Sequence, residues 1–460
     1  MSTIAAIATG AGAGGIGVVR LSGEDAAAVA GVVFHRGRRG GPVDLNQIAS
    51  HRLLYGRIVD PATGTVIDEA LLGWMARPHT YTREDTVELS CHGGPVSLRE
   101  TLRVVLAAGA RHAEPGEFTL RAFLNGRLDL TQAEAVLAVV GAKTGEGLRL
   151  AVADLAGDLA RRLAPARDAL VGLLAYLDAA ADFPDDEIPT SDVAAELATA
   201  ERALAEVIAG SHAGLLYREG VQIALVGRPN VGKSSLLNAM LRTDRAIVTP
   251  IAGTTRDVIA ETINLDGIPA TLLDTAGIGE TEDPIERLGV ERSQRALTTA
   301  AAAVLVLDGT SLPVDADLAV ARRLAERAGP VVIAINKRDL PTRARQEALL
   351  DLLPGAPVTA VSATTGAGIS DLERSLADLL RADTVAAQVQ PALITARQHA
   401  ALDRALVQIQ EAETARQTGY PQDLLATGVR AALHAVGEVT GEAVDEAVLT
   451  EIFSRFCIGK

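Results

Sequence analysis

The chain contains only two cysteines, Cys91 and Cys457, in 460 residues. Two thiols build neither a disulfide framework nor a four-thiolate zinc site, so a reducing compartment is expected. Aromatic residues are 3% of the total, with a single tryptophan. The cores must therefore be built from Ala, Val, Leu and Ile, and an aromatic stacking platform for single-stranded nucleic acid is not expected. No apolar run is long enough to span a bilayer: the longest, around Ala300 to Leu307, ends at Asp308. The start, MSTIAAIATG, lacks the basic segment of a secretory signal. A soluble, cytoplasmic protein is expected, with no membrane partner. Positive charge is also short, 43 Lys and Arg against 58 Asp and Glu, a formal net charge of −15. A surface coated for indiscriminate nucleic-acid binding is excluded; a polyanion would need a local basic patch or a partner protein. What is present is ordinary globular composition, 48% hydrophobic and 22% charged, which excludes general disorder. At ~150 residues per domain the length favours about three domains.

Three textures follow one another. Up to about residue 118, short β-rich runs (Ile4–Thr9, Gly17–Leu21, Val87–Cys91) alternate with Gly and Pro turns and a helical stretch at Leu98–Ala108. From 119 to about 218 apolar residues recur at i, i+3, i+4 and i+7, the period of amphipathic helices, broken by the polar stretch DFPDDEIPTSD. Between 219 and 380 strands alternate with helices. The runs VQIALVG, ATLLDTAG, AAVLVLDG and VVIAINK are almost continuously apolar, as suits parallel strands buried on both faces. Helical periodicity then returns from 381 to 460. The economical arrangement is an α/β module at 219–380 inserted into one helical domain made of 119–218 and 381–460, behind an α/β unit at 1–118.

The inserted module carries the clearest chemistry. VQIALVGRPNVGKSS places Gly227, Asn230, Val231, Gly232, Lys233, Ser234 and Ser235 in phosphate-loop spacing, between a strand and an apolar helix. Glycines free the backbone so that N–H groups ring the phosphates, Lys233 reaches the β and γ oxygens, and Ser234 offers its hydroxyl to Mg²⁺. Asp274, Thr275, Ala276 and Gly277 end the next strand, with Asp274 available to the Mg²⁺ shell and the Gly277 amide to the γ-phosphate. Asn336, Lys337 and Asp339 end a later one. A carboxylate at Asp339 accepts from guanine N1–H and its 2-amino group, donors that adenine lacks, and such bonds reject the wrong base by roughly 10⁴–10⁵. Ser362 and Ala363 follow the next strand, where an amide meets guanine O6. Together these motifs describe a GTPase. After DTAG stands Ile278, where Ras-type GTPases orient water with Gln, so catalysis must come from elsewhere. The loop Thr249, Pro250, Ile251, Ala252, Gly253, Thr254 and Thr255 is rich in hydroxyls and carbonyls. Thr255 is positioned for Mg²⁺. The remainder, opposite the Asn230 amide, suits a weakly hydrated monovalent cation that would replace an arginine finger.

GRPNVGKSSLLN, TPIAGTTRD, DTAG, NKRD and the final FCIGK, with GGIGVVRLSG, EDTVELSCHGGP and PGEFTLRAFLNGRLDLTQAEA, resemble the MnmE (TrmE) family of tRNA modification GTPases across essentially the whole chain. The resemblance implies an N-terminal α/β folate-binding and dimerisation domain, a discontinuous helical domain and an inserted Ras-like G domain. It also implies a homodimer working with MnmG, a flavoprotein using FAD and NADH. The pair would add a carboxymethylaminomethyl or aminomethyl group to C5 of the wobble uridine, U34, of certain tRNAs. The carbon would come from a folate-borne unit (5,10-methylene- or 5-formyl-tetrahydrofolate) and the nitrogen from glycine or ammonium. By motif, Asn230, Thr249, Ile251 and Thr254 would bind K⁺, Ser234 and Thr255 Mg²⁺, and Glu286 would orient the attacking water. Arg20, Glu88, Arg127 and Lys460 would form the folate site, Arg127 replacing a lysine common at that place.

Other features have blander readings. Gly10, Gly12 and Gly15 match GxGxxG, but the β-rich GVVRLSG follows instead of a helix, so a flexible loop is expected. Cys91 and His92 are neighbours on a strand and point to opposite faces, with no third orienting group evident. Cys457 is either a small packing residue or, from its place in CIGK, a participant in the modification chemistry. Arg161, Arg162 and Arg167 are either a solvated helix face or a tRNA-facing patch. A GTP-switched ribosome-assembly factor is the competing function, although such factors append a basic RNA-binding domain. A third is a one-carbon transferase whose G domain is only regulatory.

Overall fold

A computed structural model describes residues 2–10, 12–183, 192–243, 262–274, 298, 300–327, 329–343, 347–382 and 390–460. The chain forms two compact units, Met1–Leu137 with Gly437–Lys460, and Ala138–Val436.

The first unit is built on seven strands: β1 (Ile4–Ile7), β2 (Ile16–Ser22), β3 (Phe34–Arg36), β4 (Arg52–Val59), β5 (Val66–Met75), β6 (Thr86–His92) and β7 (Arg111–His112). Their order is β3-β4-β5-β6-β2-β1-β7, antiparallel except for the β1–β7 pair. Strand alternation sends Val19, Leu21, Leu72, Trp74, Val87, Leu89 and Cys91 to one face, where helices α1 (Ala26–Val33) and α2 (Pro95–Ala107) cover them. Helix α2 begins three residues before the expected Leu98, because Pro95 occupies its first turn after the extended Gly94. The opposite face leaves Ile16, Leu53, Tyr55 and Leu71 exposed. The Gly10–Gly15 region leads into β2 and not a helix, and Gly14 and Gly15 pair with Gly93. Helices α3 (Glu117–Leu124) and α4 (Leu130–Gly141) follow. The C-terminal helix Glu446–Ser454 seals Ile452, Phe453 and Phe456 against Leu130 and Ala133.

The second unit opens with α5 (Gly145–Leu155), α6 (Asp158–Asp182) and α7 (Val193–Arg218). Helix α6 buries Leu159, Leu163, Ala166, Leu170, Leu173 and Leu177, the three-four spacing of one helix face. There follow β8 (Val221–Val226), α8 (Lys233–Thr243), β9 (Thr262–Leu265), β10 (Ile268–Asp274), β11 (Ala302–Asp308), α9 (Asp315–Ala325), β12 (Val331–Asn336), α10 (Glu347–Leu350), β13 (Val358–Ala360) and α11 (Ile369–Ala382). The sheet order is β13-β12-β11-β8-β10-β9, parallel except for the β9–β10 hairpin. Strand β12 is buried along its whole length, and separate apolar cores lie on the two faces of the sheet.

After α11 the chain returns to the helices. Gln390–Ile394 is strapped to α6 and α7: Arg162 donates to the carbonyls of Pro391 and Gln390, both at 3.1 Å, and Ala392 N donates to Gly210 O at 3.0 Å. Helix α12 (Ala396–Gln417) then lies on α7, with Gln410 Nε2 donating to Glu201 Oε1 at 3.0 Å. The helices before and after the α/β module therefore pack on each other.

Candidate functional site

The parallel strands β8, β10, β11, β12 and β13 all deliver their C-terminal ends to one edge of the sheet, the place where open α/β folds bind ligands. Strand β8 ends at Val226 and α8 starts at Lys233, so Gly227–Gly232 forms the loop between them. Asn230 and Gly232 both have positive φ, 67° and 94°. At Gly232 a Cβ would collide with Asn336 Nδ2, so only glycine fits. Val231 is buried in the core beneath the loop, while Ser234 and Ser235 occupy the first turn of α8. The Lys233 side chain is buried, its Nζ donating to the carbonyls of Gly227 at 2.9 Å and Arg228 at 3.1 Å. An ammonium held on loop carbonyls at a helix N-terminus is a ready anion site.

Asn336, almost fully buried, ties three loops together. Its Nδ2 donates to Val231 O at 2.9 Å, and its Oδ1 accepts from Lys337 N at 2.8 Å and Ala363 N at 3.1 Å. Asp339 accepts from the buried Ser362 hydroxyl at 2.6 Å, which fixes the carboxylate beside the Ser362–Ala363 turn. Lys337, itself at φ 67°, pairs with Asp308 at 2.6 Å. Burial pushes the Asp308 carboxyl up, but bonds from Lys337 and Thr310 outweigh it and bring it down to about 2. Arg228 extends the same network, donating to Ser311 Oγ at 2.8 Å and lying 3.3 Å from the buried Asp317. The sequence assigned no role at this site to Asp308, Arg228 or Asp317. Only the Asp closing the AAVLVLD strand gives any local signal.

Asp274 ends β10 with its Cα opposite Leu225 on β8. Thr249, Pro250, Ile251, Ala252, Gly253, Thr254, Thr255, Thr275, Ala276, Gly277, Ile278 and Glu286 lie outside the described residues.

A second cluster forms in the first unit. Arg20 and Glu88 stand opposite each other on β2 and β6, and Nε and Nη2 of Arg20 both reach Glu88 Oε1 at 2.8 Å. The Arg20 and Arg127 guanidinium carbons lie 6.0 and 4.8 Å from the centroid of the Tyr81 ring, within cation–π range. Phe118 stands 5.8 Å from the same Arg20 carbon. Arg20 Nη1 reaches the Gly459 carbonyl at 3.5 Å. Gly459, at φ 98°, is packed so closely on Ile7 and Ala8 that a Cβ would strike the Ile7 carbonyl. The fold thus brings Arg20, Glu88, Arg127 and the main chain before Lys460 to one place. Lys460 N closes a turn on Cys457 O at 3.3 Å, and Cys457 is exposed. Tyr81 was missed; a loop tyrosine in a chain holding five is the signal that was available.

Two expectations need correction. Arg162 is not part of a solvated face, since it holds the returning Pro391 and Gln390 carbonyls, while Arg161 and Arg167 pair locally with Asp158 and Asp168. His92 does have an orienting group: its Nδ1 lies 2.6 Å from Asp68 Oδ1, and Ser97 donates to the other Asp68 oxygen. Cys91 and His92 nevertheless part as a strand requires, with Cys91 buried and His92 exposed, and burial pushes the Cys91 thiol up.

Comparison with known proteins decides the family. The model described as "MnmE helical domain" matches residues 130–457, and "GTP-binding protein TrmE N-terminus" matches residues 3–127. The tRNA modification GTPase MnmE of Roseiflexus castenholzii is 48% identical over 470 residues, covering 100% of this chain and 99% of the relative. Those of Heliobacterium modesticaldum and Enterococcus faecalis are 47% and 41% identical, with coverage of 100% of this chain and 99% and 98% of theirs. The chain belongs to the MnmE family. An MnmE-family protein is a GTPase acting in tRNA modification. Among the described residues no helix is long and apolar enough to cross a membrane.

Proposed function

We propose that this chain is a K⁺-dependent, cytoplasmic GTPase that works as a homodimer with an MnmG-type FAD- and NADH-using flavoprotein to modify C5 of wobble U34 in certain tRNAs. The carbon is a folate-borne one-carbon unit. The observation that carries the reading is the convergence of Lys233, Asn336, Asp339 and Ser362 at one sheet edge, each held by a named partner.

In this reading Lys233 exchanges the Gly227 and Arg228 carbonyls for β- and γ-phosphate oxygens. Asp339, steered by Ser362, accepts from guanine N1–H and its 2-amino group, and Asn336 keeps phosphate loop and base loop in register. Glu286 orients the attacking water. The hydroxyls of Ser234 and Thr255 are hard oxygen donors suited to Mg²⁺, which supplies charge neutralisation on the phosphates. The exposed Asn230, with Thr249, Ile251 and Thr254, offers amide, hydroxyl and carbonyl oxygens suited to K⁺. That ion would supply the positive charge otherwise given by an arginine finger.

The Arg20–Glu88 pair beside Tyr81 and Arg127 offers a flat aromatic ring close to two cations, chemistry that fits a pterin ring and a glutamate tail. Gly459 docked on β1 would bring Cys457 and Lys460 toward that ligand. Exposed Ile16, Leu53, Tyr55 and Leu71 on one sheet face support dimerisation of the first unit.

The decisive experiment is nucleoside analysis of total tRNA from cells with and without the gene. Loss of the C5 side chain on the wobble uridine supports the reading, and an unchanged profile overturns it. GTP turnover as fast in Na⁺ as in K⁺ would refute the cation assignment. Glu286→Ala should slow hydrolysis while leaving GTP affinity nearly unchanged.

A further inference from the structure

An acidic enzyme that handles tRNA needs a local concentration of positive charge. The arginines of α6 do not supply it, being spent on Asp158, Asp168 and the Pro391 and Gln390 carbonyls. Within the first unit several other arginines are also spent on carboxylates: Arg20 on Glu88, Arg103 on Asp60, Arg111 on Glu117, and Arg121 on Glu84 and Glu117.

One stretch breaks this pattern. Residues 36–57 carry five arginines, Arg36, Arg38, Arg39, Arg52 and Arg57, and a single acidic residue, Asp44, in a chain of net charge −15. Arg36, Arg38 and Arg39 are exposed in the turn that leaves the edge strand β3. Arg36, Arg39 and Arg52 have no carboxylate partner among the described residues, and Arg38 rests on the Tyr55 hydroxyl within the field of the Glu69 carboxylate. The turn is held in place: Arg36 N donates to Gly41 O at 3.2 Å and Gly37 N to Tyr55 O at 2.9 Å, with Gly37 at φ 66°. Strand pairing sets Arg57 between His35 of β3, beside the turn, and Glu69 of β5.

We infer that the β3–β4 turn, centred on Arg36, Arg38 and Arg39, is a docking surface for the phosphate backbone of tRNA. The inference rests on the tRNA-modification reading above. Guanidinium groups present planar forks that match phosphate oxygens, and here those of Arg36 and Arg39 stand on an ordered turn without a carboxylate partner among the described residues, Glu69 of β5 being the acid near Arg38 and Arg57. Contacts of this kind position a nucleic acid without reading its sequence. The bland alternative is that the charges only guard an edge strand against aggregation.

The test measures binding of an unmodified tRNA transcript to the full-length protein between 50 and 200 mM KCl. The wild type is compared with Arg36→Gln/Arg38→Gln/Arg39→Gln and with the corresponding triple Lys variant. If the turn contacts three phosphates, the Gln variant should lose about a hundredfold in affinity at 0.1 M salt, and its log–log salt slope should fall by about three. The Lys variant should keep most of that slope, and basal GTP turnover should stay unchanged in both, which rules out misfolding. Unchanged tRNA affinity in the Gln variant overturns the inference, the more so if that variant aggregates. A loss confined to phosphatidylserine vesicles, tested in parallel, also overturns it. Absence of any tRNA binding by the wild type would instead sink the underlying reading.

Discussion

Replacing Asp154 by asparagine tests how the helices hold the chain returning from the α/β module. Asp154 lies near the end of α5 and is 7% exposed. Burial raises its carboxyl first and Asp158 adds repulsion; Arg162 and the Leu393 N–H pull the other way, and the net result is a rise from 3.8 to about 7. Because the folded state keeps the proton longer than the unfolded chain, this group costs nothing below about pH 4. Its penalty grows as pH rises, and is complete above about pH 7. At 1.36 kcal/mol per pH unit, the full penalty is about 4 kcal/mol. Asparagine keeps the shape and an oxygen for the Leu393 N–H but has no charge to desolvate. The variant should therefore be more stable than wild type, by about 2–3 kcal/mol more at pH 8 than at pH 5, equivalent to roughly 5–10 °C in melting temperature. Matched thermal melts at the two pH values read this double difference, in which every other titrating group cancels. Equal stabilisation at both pH values, or a larger gain at pH 5, would refute the burial argument.

Three further outcomes follow from the two clusters. Asn336→Ala leaves the Val231 carbonyl and the Lys337 and Ala363 amides without their partner, so GDP affinity should fall by about a hundredfold. A fluorescent-GDP titration within threefold of wild type would contradict that role. Asp339→Asn should weaken guanine nucleotides and favour xanthine nucleotides, whose 2-oxo group accepts from the new amide; competition binding with XTP checks this. Gly459→Ala cannot keep φ 98° against the Ile7 carbonyl, so the last residues should lift from β1. Calorimetry with 5-formyl-tetrahydrofolate should show weakened binding while basal GTP turnover is retained; unchanged folate affinity would separate the tail from that site.

The phosphate-loop conformation was legible in the sequence because its residues are contiguous. A phosphate loop is a local alternation of glycine conformations between a strand and a helix, and its spacing survives in the string GRPNVGKSS. The buried parallel strands were legible for a similar reason, since burial on both faces demands unbroken apolar runs. Periodicity gave helix α2 but not its start, which a proline in the first turn fixed. What the string could not contain was any pairing across large separations. The Asn336 amide meets Val231 O 105 residues away, and Arg20 reaches Gly459 O across 439. Arg161, Arg162 and Arg167 look alike as letters, yet Arg162 alone meets the returning chain. Asp154 looks like any helix-surface acid until Leu393 and its neighbours enclose it. The sequence by itself determined which segments form the loops at the strand ends, because backbone conformation and side-chain spacing are local properties. Tertiary structure decided which charges are spent internally and which remain for a partner, because burial and charge pairing exist only once distant segments have packed.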